Sequence, residues 1–228
     1  MEQKYDRSEE ILLFMQPHME ERFRESAGRI RKLLEERGNE MWTVLRENIR
    51  TVLSRSAGLQ AQGKKGRIAY LVCSFQQSGV YTGGLLLRLE TLDEGFYLDE
   101  QEAEGYYDPR LLQEEYRKDL EFLHQKVRRQ FIRVQNYELD GVSMAYTEYY
   151  NALMCRIIES MDSLIMRTVT ESGAALSEEV QIMYGEYMGD AEVIYAFDAA
   201  GSGTAEKDNR DEYVAEDTDS HTQKGIRA

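Results

Sequence analysis

The chain has 228 residues, 42% hydrophobic and 31% charged, which suits one sizeable globular core and is too apolar for a disordered chain. Its formal net charge of −14 is unevenly held. Residues 1–67 carry 14 Lys and Arg against 11 Asp and Glu and the remainder 14 against 31, so nucleic-acid binding by the whole molecule is disfavoured and only the first third suits it.

The N-terminal segment, residues 1–58, reads as helical. Ser8 is placed to cap a first short helix with Glu9 and Glu10 at its positive end, and Pro17 is expected to break it or to start the next. A second helix is predicted over 18–37, with Phe23, Ile30, Leu33 and Leu34 on its apolar side and Gly38 as the stop. A third, over 39–56, carries Trp42, Leu45, Ile49, Val52 and Leu53 at helical spacing and ends at Gly58. The arginines of this segment interleave with glutamates, which predicts intrahelical ion pairs.

An α+β body is expected over 59–198: an antiparallel sheet of three to five strands packed against two long helices. The basic, glycine-containing stretch 58–66 reads as a loop. Ile68–Phe75, apolar at nearly every position, reads as a buried strand, Leu85, Leu87 and Leu89 mark a second, and Phe96, Tyr97 and Leu98 a short third. Asp108 followed by Pro109 gives the clearest helix start, and the stripe Leu112, Tyr116, Leu120, Leu123, Val127, Phe131 and Val134 carries that helix for about 25 residues. A second long helix is predicted over 142–170. Its apolar face is broad, with Tyr146, Tyr149, Leu153 and Ile157 beside Tyr150, Met154 and Ile158, which suits a central position or burial by a second subunit. Residues 177–198 fit a hairpin better than a helix, because Gly185 weakens a helix and the aromatic and β-branched content favours strands. From 199 to 228 the composition predicts a disordered acidic tail.

The two cysteines lie far apart within apolar stretches, no apolar run approaches the 18 or so residues that span a bilayer, and the acidic N-terminus is unlike a signal peptide. A cytoplasmic protein without a membrane span is expected. No motif carries chemistry outright, and no cofactor is implied. The near-match to a phosphate loop at Gly58, Gly63 and Lys64 has Lys65 where a hydroxyl is needed and follows a helix where a strand is needed. Glu121 and His124 lie one helical turn apart, as in half of a carboxylate-bridged metal site, but no second such pair accompanies them.

Between the predicted strands and helices an acidic stretch, including Asp99 and Glu102, surrounds Tyr97, Tyr106 and Tyr107 in a chain with 15 tyrosines. Tyrosine joins a rigid apolar ring to a polar tip and is enriched at interfaces. The leading expectation is a non-enzymatic interaction or regulatory protein with a protein partner, self-associating through the broad face of the 142–170 helix. The alternatives are an enzyme or metal-binding protein built on Glu121 and His124, and a nucleic-acid regulator acting through the N-terminal basic helices.

Overall fold

The computed structural model describes residues 7–199 except Met188; the expected disordered tail falls on residues outside these, apart from Ala199. One 55-residue helix, α1 (Arg7–Ala61), replaces the three expected. Its buried positions, from Ile11, Met15 and Met19 through Ile30, Gly38, Met41, Leu45, Ile49 and Val52, recur at helical spacing across both supposed breaks. Pro17 costs a helix interior about 3 kcal/mol, whereas each fully buried Leu, Ile or Met contributes about 1.5–3 kcal/mol, so the continuous stripe wins. Gly38 is a packing site and not a stop: a Cβ there would lie 3.2 Å from the Trp42 indole nitrogen.

A five-stranded sheet follows, built from β1 (Ile68–Phe75), β2 (Leu87–Asp93), β3 (Glu104–Tyr107), β4 (Leu176–Glu186) and β5 (Ala191–Asp198), in the order β3-β2-β1-β4-β5. The α+β class is as expected, and 176–198 is the hairpin. The sheet is mixed, however, because β1 and β4 pair in parallel. A parallel partner requires a long crossover, supplied by the helices between β3 and β4. Phe96–Leu98 forms a 3-10 turn in place of the expected strand, and the third strand lies later, at β3.

The crossover contains α2 (Arg110–Gln130), α3 (Asn136–Glu159) and α4 (Asp162–Thr170). Pro109, not Asp108, holds the cap position of α2, and the extended backbone of Phe131 ends that helix earlier than the apolar stripe implied. The helix expected over 142–170 starts sooner, where the Glu138 carboxylate accepts the Gln135 amide at 2.7 Å, and breaks at Ser160–Met161. Its broad face is covered within the chain. Leu139, Val142, Tyr146, Tyr150, Met154, Ile157 and Ile158 belong to one core with α1, α2 and the inner sheet residues Leu71, Cys73 and Phe75. The width of that face therefore reflects a central position, and the self-associating surface assigned to it is not free.

The three-helix layer is pinned by a buried polar junction. Asp119 on α2 accepts hydrogen bonds from Tyr146 Oη (2.7 Å), Tyr150 Oη (2.8 Å) and Arg22 Nε (2.6 Å). Beside it Arg29 Nε donates to Glu115 at 2.7 Å. Intrahelical pairs exist on α1, as at Arg37 and Glu40, but Arg22 and Arg29 reach across to α2. A carboxylate this deep is tolerable only when its oxygens are satisfied by charged and hydroxyl donors, as here.

Candidate functional site

Among the described residues, no helix of the crossover packs over the outer face of the sheet. Strand alternation sends Leu71 and Cys73 inward and Val72 outward, where Val72 joins Leu92 and Met183 in a small second cluster edged by Tyr70, Phe96 and Ala191. Beside it on β2, Arg88 bonds Glu90 (3.1 Å) and Glu104 (2.6 Å) and lies over the Tyr187 ring, 4.5 Å from its centre. Burial raises the Glu90 carboxyl above its ordinary range, with Glu104 and Glu102 reinforcing the shift and Arg88 opposing it.

The turn between β2 and β3 is held rigidly. Asp93 accepts the amides of Gly95 (2.8 Å) and Gly66 (3.0 Å), while Asp99 accepts those of Gln101 (3.0 Å) and Asp93 (3.1 Å). Lys65 closes the structure with an ion pair to Asp99 and a bond to the Gln101 carbonyl at 2.9 Å; the two charged side chains are 0% and 2% exposed. Burial pushes the Asp99 carboxyl up, but the Lys65 ammonium and the two amides outweigh it and hold the group below its ordinary range. Lys65, which stands where a phosphate loop needs a hydroxyl, is thus consumed in a structural clamp.

That clamp holds Phe96 at φ 54°, in the left-handed region that a bulky residue rarely adopts. Phe96 packs edge-on against Tyr70 (4.7 Å between ring centres) and beside Tyr97 (4.1 Å), leaving Tyr97 61% exposed next to the exposed Leu98. Tyr106, on β3 opposite Arg88, is 49% exposed.

The sequence-predicted surface therefore divides. Tyr97, Tyr106 and Glu102 face solvent, whereas Tyr107 points into the core and Asp99 is locked to Lys65. A shallow depression of about 380 Å³ continues the same surface, lined by Arg67, Tyr70, Glu94, Glu178, Glu179 and Gln181 among others. The face is an acidic rim around aromatic and aliphatic contacts.

Glu121 and His124 do not converge. Glu121 is exposed and accepts from Gln125 (3.3 Å), while His124 turns toward α3 and meets Ser143 Oγ at 2.8 Å. Among the described residues no three His, Cys, Asp or Glu side chains come together to hold a metal ion. No helix among them is long and apolar enough to cross a membrane. Cys73 is buried and its thiol is pushed up to about 12 by burial, while Cys155, partly exposed, is pushed up to about 11 chiefly by burial and by Glu159.

Sequence reasoning missed the Asp119 junction and the outer sheet layer. The first had a signal: Asp119 interrupts the apolar stripe between Tyr116 and Leu123, and a lone acid on a core face requires partners. The second is written in alternate positions of β1 and β2, legible only once the strands are known to be covered on one side. Set against protein-family models, curated proteins and solved structures, the chain matches none of them.

Proposed function

We propose that the chain is a non-enzymatic interaction protein whose outer sheet face docks a basic segment of a protein partner. The observation carrying this reading is the display of Tyr97 and Tyr106 on a rigid, acid-rimmed sheet. The Lys65–Asp99 clamp keeps the aromatic turn in one strained geometry, so binding there costs little ordering entropy. The exposed Glu102, Glu178 and Glu179 supply charge complementary to lysine and arginine, and exposed tyrosines beside charges are the composition of binding hot spots. Two free thiols suit a reducing, cytoplasmic setting.

Photo-crosslinking from a benzophenone side chain placed at position 97 or 106, in the native host, tests the reading. The expected product is a discrete adduct with a basic protein, lost in a Glu102→Arg/Glu179→Arg background. Adducts that survive this charge reversal, or no adduct from either position, would refute it.

A further inference from the structure

A second surface, at the other end of the molecule from the sheet, has the opposite charge. Residues 122–134, the last turns of α2 and the loop after it, contain Lys126, Arg128, Arg129 and Arg133 and no acid. Among the described residues none of these four is in an ion pair with a carboxylate. Here α1 and α2 enclose a depression of about 230 Å³ whose walls include Phe14, Phe122, Lys126 and Arg129. Phe122 is 44% exposed and has Arg22 (4.8 Å) and Lys126 (6.0 Å) over its ring. The nearby carboxylate on the same helix, Glu121, is turned to Gln125. In a chain of net charge −14, Lys126 and Arg129 on the walls of this aromatic-floored depression, with Arg128 and Arg133 close by in the chain, suit an acidic segment with an aromatic anchor.

The chain itself contains such a segment. Residues 211–219 (DEYVAEDTD) hold five acids, no base, and the Tyr213-Val214 pair. The geometry points to the depression as the binding site for this segment, supplied by a second copy of the chain. Reach keeps the Tyr213 anchor from the depression of its own copy. The tail leaves β5 beside β4, where the Ala199 amide donates to the Glu178 carbonyl at 2.9 Å, and the start of β4 lies against the last turn of α1 through Gln60 and the Ala175 carbonyl (2.8 Å). From Gln60 back to Phe14 along α1 is about 70 Å at 1.5 Å per residue. From Ala199 to Tyr213 a fully extended chain covers at most about 50 Å. The contact is therefore intermolecular and head-to-tail, the kind that builds open chains or rings and not closed two-fold pairs. A concave floor between two helices also favours a peptide over a flat anionic bilayer.

The test uses the full-length chain and a fluorescein-labelled peptide of residues 209–220. Fluorescence anisotropy is expected to give saturable binding that weakens at least tenfold in Lys126→Glu/Arg129→Glu, in Phe122→Ala and in 0.5 M salt, with circular dichroism unchanged because these side chains lie at the surface. Light scattering is expected to give a mass that rises with concentration. It should stay monomeric when the tail is neutralised by Asp211→Asn, Glu212→Gln, Glu216→Gln, Asp217→Asn and Asp219→Asn. Absent peptide binding, binding indifferent to the Lys126/Arg129 reversal, or a wild-type chain that is monomeric throughout would each overturn the proposal. So would co-sedimentation with phosphatidylserine vesicles without peptide binding, which would reassign the cations to a lipid surface. Because the sheet face plays no part in these measurements, their failure leaves the basic-partner reading to its own crosslinking test.

Discussion

Arg22 and Asp119, 97 residues apart in the chain, meet at 2.6 Å in a place where the carboxylate is wholly sealed from solvent. Removing one partner of such a pair strands a buried charge, which typically costs about 3–5 kcal/mol. Asp119→Ala is expected to lose that much stability, and Tyr146→Phe and Tyr150→Phe about 1.5–3 kcal/mol each, as for hydrogen bonds to a charged group. Urea unfolding followed by the fluorescence of Trp42, the sole tryptophan, measures this. A loss below about 1 kcal/mol for Asp119→Ala would mean that the junction does not hold the helices together.

Pro17 should behave in the opposite sense. It is exposed, lies inside α1 and lacks the amide that would bond the Leu13 carbonyl. Pro17→Ala is expected to stabilise the fold by about 1–3 kcal/mol, since it restores a hydrogen bond without disturbing the buried stripe. An unchanged urea midpoint would show that the backbone here has already relaxed around the proline.

The hairpin of β4 and β5 depends on one glycine. A Cβ at Gly185 would sit 2.2 Å from the Asp190 carbonyl oxygen and 2.5 Å from the Ala191 Cα, both backbone atoms that cannot step aside as a side chain would. Gly185→Ala should cost about 1–3 kcal/mol and lower the melting temperature. A fully native melt would contradict the close approach.

His124 makes the fold sensitive to acid. Burial, assisted by the Arg128 charge, holds its imidazole below the ordinary value, against the Leu139 backbone contact and Asp140. Because the folded value is the lower one, its contribution to stability is complete above about pH 6.5 and is lost as pH falls through the folded value. The stability of wild type is expected to fall more steeply from pH 7 to pH 5 than that of His124→Gln, which cannot charge. Parallel curves would remove His124 as the cause.

The elements that announced themselves in the sequence were those whose periodicity matched their burial. β1 is apolar at nearly every position and all its residues but Tyr70 are buried, and the α2 stripe from Leu112 to Val127 points wholly inward. Gly185, used to argue for a hairpin, does so through the Ala191 approach as well as through its poor helix propensity. The misreadings came from treating local signals as sufficient. Pro17 and Gly38 carry real penalties, but long-range burial along α1 exceeds them. The break after Glu159 has no proline or glycine to mark it, and the parallel pairing of β1 with β4 depends on contacts more than 100 residues apart that no local pattern encodes. In the candidate surface, Tyr97, Tyr106 and Glu102 were legible as exposed. The opposite orientation of Tyr107 follows from strand alternation, hidden while 96–98 was taken for the strand and β3 was unplaced.

The length of α1 also sets the order in which the molecule can assemble. Its apolar stripe is synthesised first, yet the surfaces that cover it, α2 through α4, arrive between residues 110 and 170. At about 5–20 residues per second, Ile11, Met15, Ile30 and Leu45 wait on the order of ten seconds for their partners during translation. A nascent chain of this design offers a long amphipathic rod to the ribosome surface and to chaperones before α2 through α4 cover it. Its yield in a cell therefore depends on how well that interval is guarded as much as on the stability of the finished fold.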